Sequence, residues 1–271
     1  MFWIKIEKMS KWRPSENNLY VIGDIHGNYD CLKLIFNRIL PLRKGDEIVF
    51  LGDYVDRGPN SFKVIDALSK VNNKYENITC LSGNHEWLIK ASLRLTHPLI
   101  LPLTLTPEQV WLSNGGIPTV ISYAKSKGLS RQDAMSIPLT RYRNIMPIEH
   151  REFLLGLYSF YETDNYIFVH AGCDPNLPVE VQPDDILLWD RSLWSFVRKN
   201  YQKGNDFDWD KTIVCGHNYK GPFIHPKYMM LDVSGDNNKV MCAELNSMTA
   251  YIAEPGKQRM VSMALEKGWY W

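Results

Sequence analysis

Three times within its first ninety residues the chain passes from a short apolar run, through a glycine-containing loop, to apolar residues at helical spacing. Leu19 to Ile22 is followed by Leu32, Ile35, Phe36 and Ile39. Ile48 to Leu51 is followed by a Pro59-Asn60-Ser61 helix start and then Val64, Ile65 and Leu68. Ile78 to Leu81 leads into Trp87, Leu88 and Ala91. A strand-length run answered by a 3.6-residue period is the signature of stacked βαβ units, so the chain is committed to an α/β class with a mainly parallel sheet at its start.

With 271 residues there is ample chain for a sizeable core, either as one large α/β domain or as one domain carrying an elaborated insert. The pattern changes character from about Trp87 to His150, where prolines stand at 98, 102, 107 and 118. Thr106-Pro107-Glu108-Gln109 offers an N-cap, a proline at the first helical position and a capping-box glutamine. This stretch, about 88–150, reads as a mainly helical insert. Strand signals resume at Tyr166 to Val169, Thr212 to Cys215, Tyr228 to Leu231, Val240 to Leu245 and Thr249 to Ile252. No Gly-, Pro- or Ser-rich linker and no repeat interrupts them, so residues 1–271 read as a single domain with an inserted cap.

Lys+Arg of 31 against Asp+Glu of 30 leaves a net charge of +1, with no block of like charges, which argues against a nucleic-acid partner. The five cysteines, Cys31, Cys80, Cys173, Cys215 and Cys242, are widely spaced and odd in number, as expected of reduced thiols in a cytoplasmic protein. Met1 to Trp12 is broken by Lys5, Glu7, Lys8 and Lys11 and lacks the apolar core of a signal peptide. The most apolar stretch, Leu95 to Pro107, contains three prolines and falls short of the ~20 residues needed to span a bilayer. A soluble protein without a membrane partner is expected, and nothing points to an obligate protein partner.

The polar residues that carry chemistry gather where the strands stop. They are Gly23-Asp24-Ile25-His26-Gly27, Gly52-Asp53-Tyr54-Val55-Asp56-Arg57-Gly58, Gly83-Asn84-His85-Glu86, Val169-His170-Ala171-Gly172 and Cys215-Gly216-His217. In an open α/β sheet, ligands bind at the carboxyl ends of the strands. Asp24, His26, Asp53, Asn84, His170 and His217 together form a mixed oxygen and nitrogen set that suits Mn²⁺, Fe²⁺ or Zn²⁺. Six ligands exceed what one catalytic ion with an open position needs, but fit two ions sharing a bridging carboxylate. Two divalent ions, less two carboxylates and a bridging hydroxide, leave a centre of about +1 that attracts an oxyanion. Paired metals lower the pKa of bridging water and clamp the oxygens of an in-line displacement, which is what phosphate-ester hydrolysis requires. Arg57 and Arg191 offer planar donors for phosphate oxygens. His85, carried beside Asn84 without having to be a ligand, is placed to protonate the leaving oxygen, with Asp56 as the partner that keeps it charged.

This succession of blocks resembles the phosphoprotein phosphatase family of calcineurin-like metallophosphoesterases, and most of all its bacterial and phage branch typified by lambda phosphatase. The likeness extends from about residue 19 to 250. It implies a first metal held by Asp24, His26 and Asp53 and a second held by Asp53, Asn84, His170 and His217, with Asp53 as the bridge. It implies Arg57 and Arg191 for phosphate binding, His85 with Asp56 for leaving-group protonation, and two divalent ions, Mn²⁺ foremost. It also implies a fold of two mixed β-sheets packed as a sandwich and flanked by helices.

The family's usual Thr-Pro after the last histidine is replaced by Asn218-Tyr219, and its Ile-Asp-Thr-Gly by Leu231-Asp232-Val233-Ser234-Gly235. The Ser-Ala-Pro-Asn-Tyr loop of the eukaryotic enzymes is absent. Diadenosine tetraphosphatases resemble the chain too, but commonly carry Asp where Glu86 stands. The expected function is therefore a serine/threonine, and also tyrosine, protein phosphatase acting on phosphoproteins or phosphopeptides through metal-bound hydroxide. The alternative is a dinucleoside tetraphosphatase or other nucleotide phosphohydrolase using the same centre.

Blander readings stand beside several of these residues. Arg191 has a second reading as a surface ion-pair partner of Asp190 or Asp185. His97, His150 and His225 read as structural or solvated, and the tryptophans as packing, with Trp111 and Tyr123 as candidate groove residues. Glu86 reads as a helix N-terminal acid. Asp232 and Ser234 read either as support for a metal-bound imidazole or as a strand-end cap. Arg141 and Arg143 are candidates for setting specificity.

Overall fold

The computed structural model describes residues 17–96, 105–219, 221–235, 238–266 and 268–269. Met1 to Trp12, His97, Pro98 and Pro102 lie outside these described residues. The strands are β1 (Leu19–Ile22), β2 (Glu47–Phe50), β3 (Ile78–Cys80), β4 (Phe160–Glu162), β5 (Tyr166–Val169), β6 (Thr212–Cys215), β7 (Phe223–His225), β8 (Tyr228–Met230), β9 (Val240–Glu244), β10 (Thr249–Ala253), β11 (Val261–Ala264) and β12 (Gly268–Trp269). The helices are α1 (Tyr29–Ile39), α2 (Ser61–Lys74), α3 (Asn84–Ser92), α4 (Pro107–Trp111), α5 (Ile117–Ser126), α6 (Arg131–Ser136), α7 (Tyr142–Ile145), α8 (Ile148–Leu155), α9 (Asp184–Trp189) and α10 (Ser192–Gln202).

Two six-stranded sheets result, ordered β11-β10-β9-β1-β2-β3 and β12-β7-β8-β6-β5-β4. The βαβ units predicted from the sequence do place β1, β2 and β3 in parallel, with Leu19 opposite Glu47 and Ile48 opposite Ile78. Each sheet as a whole is mixed, because β9 pairs antiparallel with β1 and β4 pairs antiparallel with β5. Strands β4, β7, β11 and β12 give no clear sequence signal. They are short or lie at a sheet edge, where a period-two pattern has too few residues to register.

Alternation along the strands assigns side chains to three layers of core. Leu19 and Val21 of β1, Val49 of β2 and Phe168 and Val214 of the second sheet meet between the sheets. Ile22, Ile48 and Phe50 point the other way, onto Leu32, Ile35, Val64 and Leu68 of α1 and α2. On the outer face of the second sheet, Val169, Ile213 and Cys215 pack under Leu193, Trp194 and Val197 of α10. The sandwich flanked by helices is thus the layering that two-faced strands require when each face must be covered.

The helical insert forms as its caps dictate. Thr106 accepts the backbone N–H of Gln109 while Gln109 reaches back to the Thr106 N–H, with Pro107 at the first position. Its last helix, α8, extends the helical region to Leu155. Trp111, Val120, Tyr123 and Ala124 join the same core as Ile35 and Phe50. All five cysteines are buried and unpaired.

Candidate metal centre

Three loops that leave β1, β2 and β3, and two that leave β5 and β6, meet at one end of the two sheets. Their backbone is bent into the site. His26, Asp53, Asp56, Arg57 and His217 are five of the eight non-glycine residues with positive φ among the described residues. Such conformations cost roughly 1–3 kcal/mol each and persist where the surrounding structure fixes them. Two glycines let the loops close. A Cβ on Gly52 (φ +102°) would lie 2.5 Å from the Gly83 nitrogen and 3.0 Å from His170 Nδ1, and one on Gly83 would collide with the Asp53 carboxylate.

The six candidate ligands come together, all buried. His26 Nε2 lies 3.6 Å from Asp53 Oδ2 and 3.9 Å from Asp24 Oδ2. On the other side of Asp53, Oδ1 lies 3.4 Å from His170 Nε2, and the Asn84 amide oxygen lies 3.0 Å from His170 Nε2 and 3.2 Å from His217 Nδ1. Two groups of potential ligand atoms, His26/Asp53/His85 and Asp53/His170/His217, each fall within 4.8 Å, and Asp53 belongs to both. That geometry fits a dinuclear centre with a shared carboxylate.

The donor chemistry tests the fit independently. His26 Nδ1 lies 2.9 Å from the Val55 carbonyl and His170 Nδ1 lies 2.8 Å from the Leu51 carbonyl. A carbonyl can only accept, so each ring puts its proton there and turns an unprotonated Nε2 inward. His26 Nε2 is buried without a hydrogen-bond partner. The Asn84 oxygen therefore faces the lone pair of His170 Nε2 and the Asp53 carboxylate oxygens with no proton between them. Only the turned-over carboxamide would satisfy them by hydrogen bonds, its NH₂ reaching Asp53, His170 and His217 at 3.0–3.3 Å. A cation satisfies all of them at once, and the residues fit a divalent metal.

The electrostatics point the same way. Burial pulls His26 well below the ordinary imidazole range and His217 down to about 3, so both rings are neutral and able to ligate. Burial works against the charge on Asp53, but the surrounding imidazoles, which take up their protons before it does as pH falls, outweigh burial and hold the carboxyl well below its usual range. Burial, with the Asp232 and Asp53 charges added, pushes Asp24 far up. A buried carboxylate beside two others is stable only with a counter-charge.

His85 behaves differently from its neighbours. Its Nδ1 pairs with Asp56 Oδ2 at 2.7 Å, and its Nε2 faces Asp53 Oδ2 at 3.8 Å and Arg57 Nη2 at 3.2 Å. Burial pulls its pKa down, but the Asp53 charge and the Asp56 hydrogen bond and charge overcome this and leave it above the usual value. The Arg57 charge bears on Asp24, His26 and His85, and that of Arg191 on His217. Arg191 forms no ion pair with Asp190 or Asp185 among the described residues. Asp190 instead caps α10 by accepting the backbone N–H groups of Ser192 and Leu193.

Four residues matter more than the sequence suggests. Glu86 is no mere end-of-helix acid. Its carboxylate accepts the backbone N–H groups of Gly83, Asp53, Tyr54 and Val55, tying the Asp53 loop to the Asn84 loop. Trp111, Thr119 and Ser61 surround Asp56. The spacing of Gly83 and Glu86 carried a signal for the first. No local pattern links Asp56 to residues 55 and 63 positions away. Trp111 and Tyr123 do not line a groove, being buried and hydrogen-bonded to Asp56 and His150 respectively. Asp232 acts as the cap, accepting the Ser234 N–H at 2.8 Å, and its charge bears on the carboxyl of Asp24 and not, by any contact, on an imidazole among the described residues. His225 pairs with Asp206, and Arg143 donates to the Arg94 carbonyl, so neither is placed at the centre by its contacts.

Residues 18–221 match the model of the calcineurin-like phosphoesterase family. The chain is 30% identical over 142 residues to the zinc-dependent endopolyphosphatase of Saccharomyces cerevisiae, covering 45% of this chain and 43% of that protein. It is 42% identical over 67 residues to the symmetrical bis(5'-nucleosyl)-tetraphosphatase of Wigglesworthia glossinidia brevipalpis, covering 25% and 24%. It is 48% identical over 67 residues to a Schizosaccharomyces pombe protein provisionally named a serine/threonine-protein phosphatase, covering 24% and 22%. The matched stretches thus span less than half the length of these curated relatives. Among solved structures, a cold-active protein-tyrosine phosphatase from a psychrophilic Shewanella shares the fold, with a TM-score of 0.53 at 14% identity over 92% of this chain and 80% of that one.

Proposed function

The chain belongs to the calcineurin-like phosphoesterase family, and within it we propose a phosphomonoesterase of the lambda-phosphatase-like branch that removes phosphate from phosphoserine and phosphothreonine in proteins. Two divalent ions, Mn²⁺ foremost, would be held by Asp24, His26 and Asp53 and by Asp53, Asn84, His170 and His217. Such a centre, when bound, supplies Lewis acidity toward phosphate oxygens and acidifies bound water. The neutral rings of His26 and His217 suit ligation, whereas for His85 the effect of burial is overcome by the Asp53 and Asp56 charges, which raise its pKa.

The observation that carries the substrate class is the buried His85–Asp56 pair at 2.7 Å. A serine or threonine alkoxide is a strong base and a poor leaving group, so its departure calls for a proton delivered in the transition state. A nucleotide leaving from a polyphosphate departs as a stable anion and needs no such device. With Asp53 committed to the metals, Asp56 is the carboxylate left to orient His85 Nδ1, and Nε2, which accepts from Arg57 here, would carry the proton for the ester oxygen once Arg57 turns to the phosphate. Arg57 and Arg191 bind the non-bridging oxygens. Tyrosine phosphate, a less demanding leaving group, is within reach of the same site, in keeping with the activity for which the Shewanella neighbour is named. Five buried thiols support a reducing compartment such as the cytoplasm, and the shared core of insert and sheet supports a single domain.

The test is hydrolysis by chelated and then Mn²⁺-reconstituted protein, with phosphoserine peptides and diadenosine tetraphosphate offered side by side. Metal-dependent release of phosphate from the peptides, with little dinucleotide cleavage, is expected. Preferential dinucleotide cleavage would keep the metal chemistry and overturn the substrate.

A further inference from the structure

The helical insert reaches into the catalytic end of the molecule at one carboxylate. Asp56 is fully buried, with a left-handed backbone at φ +71°. Its Oδ1 accepts the Thr119 hydroxyl at 2.7 Å, its Oδ2 lies 2.7 Å from His85 Nδ1, and the Trp111 indole N–H lies 3.0 Å from both oxygens. The Thr119 oxygen also accepts the Asp56 backbone N–H at 2.9 Å and lies 2.8 Å from Ser61 Oγ. Thr119 therefore grips the side chain and the main chain of the same residue. Next in sequence, the Arg57 N–H donates to the Gly115 carbonyl at 3.0 Å, within the kinked segment Leu112–Gly116 that joins Trp111 to α5.

We propose that Trp111 and Thr119 are positioning residues for leaving-group protonation: the insert completes the general acid by fixing the Asp56 carboxylate that orients His85. This rests on the reading of His85 as the acid. The donors are chemically suited to the task. An indole N–H donates and cannot accept, so Trp111 stabilises the Asp56 anion without competing for the His85 proton. Together the three donors hold the carboxylate in one plane, so the His85 ring has one orientation available. In the step served, the phosphorus–ester oxygen bond breaks with its electron pair on oxygen. With Arg57 turned from His85 Nε2 to the phosphate, Nε2 gives that oxygen a proton while Nδ1–H stays hydrogen-bonded to Asp56; the attacking water supplies the new oxygen on phosphorus, one of its protons staying on the phosphate and the other returning to His85 Nε2.

The experiment compares Trp111→Phe, Thr119→Val and Thr119→Ser with the parent and with His85→Asn. All are Mn²⁺-loaded, and the substrates run from p-nitrophenyl phosphate through phenyl phosphate to a phosphoserine peptide. Trp111→Phe and Thr119→Val should each lower kcat on the peptide by about 10- to 100-fold, with much smaller losses on p-nitrophenyl phosphate and unchanged metal content. Thr119→Ser should restore the parent rate. In a His85→Asn background the added loss should vanish, because both changes act through the same ring. Equal losses across all leaving groups, or a loss that persists without His85, would overturn the proposal and leave His85 as the acid. If His85→Asn itself shows no dependence on the leaving group, the acid assignment falls and this proposal falls with it.

Discussion

Glu86 Oε1 accepts the backbone N–H of Tyr54 at 2.7 Å, and through that carboxylate the strand loop carrying Asp53 is fastened to the helix that begins at Asn84. Four backbone donors converge on Glu86, which is 0% exposed, so its carboxylate is fully committed to the chain and does not meet substrate. Glu86→Gln keeps the size but replaces one acceptor oxygen with a donor facing N–H groups. It should lower stability by about 1–3 kcal/mol and weaken metal retention about 10- to 100-fold. Thermal unfolding and metal content after dialysis against a graded chelator check both. Unchanged retention would show that the loops hold their register without it.

Asp53 lies in both ligand groups, and its removal should empty both sites together. Asp53→Asn is expected to retain less than one metal per chain by elemental analysis and to lose nearly all activity while its far-ultraviolet dichroism stays native. A variant that still binds two ions would show that the bridge is elsewhere.

His85→Asn removes a proton donor without removing a ligand in the assignment made above. Two metals should remain, and kcat on phosphoserine peptides should fall about 10²- to 10⁴-fold. The fall should be smaller for p-nitrophenyl phosphate. Full activity on the peptide sinks the acid role.

His150 gives a pH prediction away from the metals. Its Nδ1 meets the Tyr123 hydroxyl at 3.0 Å and its Nε2 lies 3.7 Å from Asp66, joining α8 to α5 and α2. Burial pulls its pKa below the ordinary 6.5, against the raising effect of Asp66. The unfolded chain therefore binds this proton first as pH falls. The contribution of His150 is present above pH 6.5 and is lost as pH drops toward the folded value. Urea midpoints should fall less between pH 7.5 and pH 5.5 in His150→Gln than in the parent. Equal slopes would mean that other groups carry the acid sensitivity.

The six candidate ligands and the His85–Asp56 pair were legible in the sequence because each sits in a short block at a strand end, where local spacing and residue chemistry coincide. The β1–β2–β3 arrangement was legible for a similar reason, since strand, loop and helix follow one another within about thirty residues. The mixed order of both sheets was not, because β9 reaches β1 from more than two hundred residues away and the pairing leaves no mark on either segment alone. Nor were the roles of Trp111 and Thr119, whose meaning depends on where α4 and α5 lie against Asp56. The sequence determined which groups could do chemistry, because composition and spacing set ligand type and proximity. Only the tertiary structure decided which ring nitrogens turn inward, which carboxylate is free to hold a proton donor, and which is spent on backbone amides. Those are set by contacts between segments far apart in the chain.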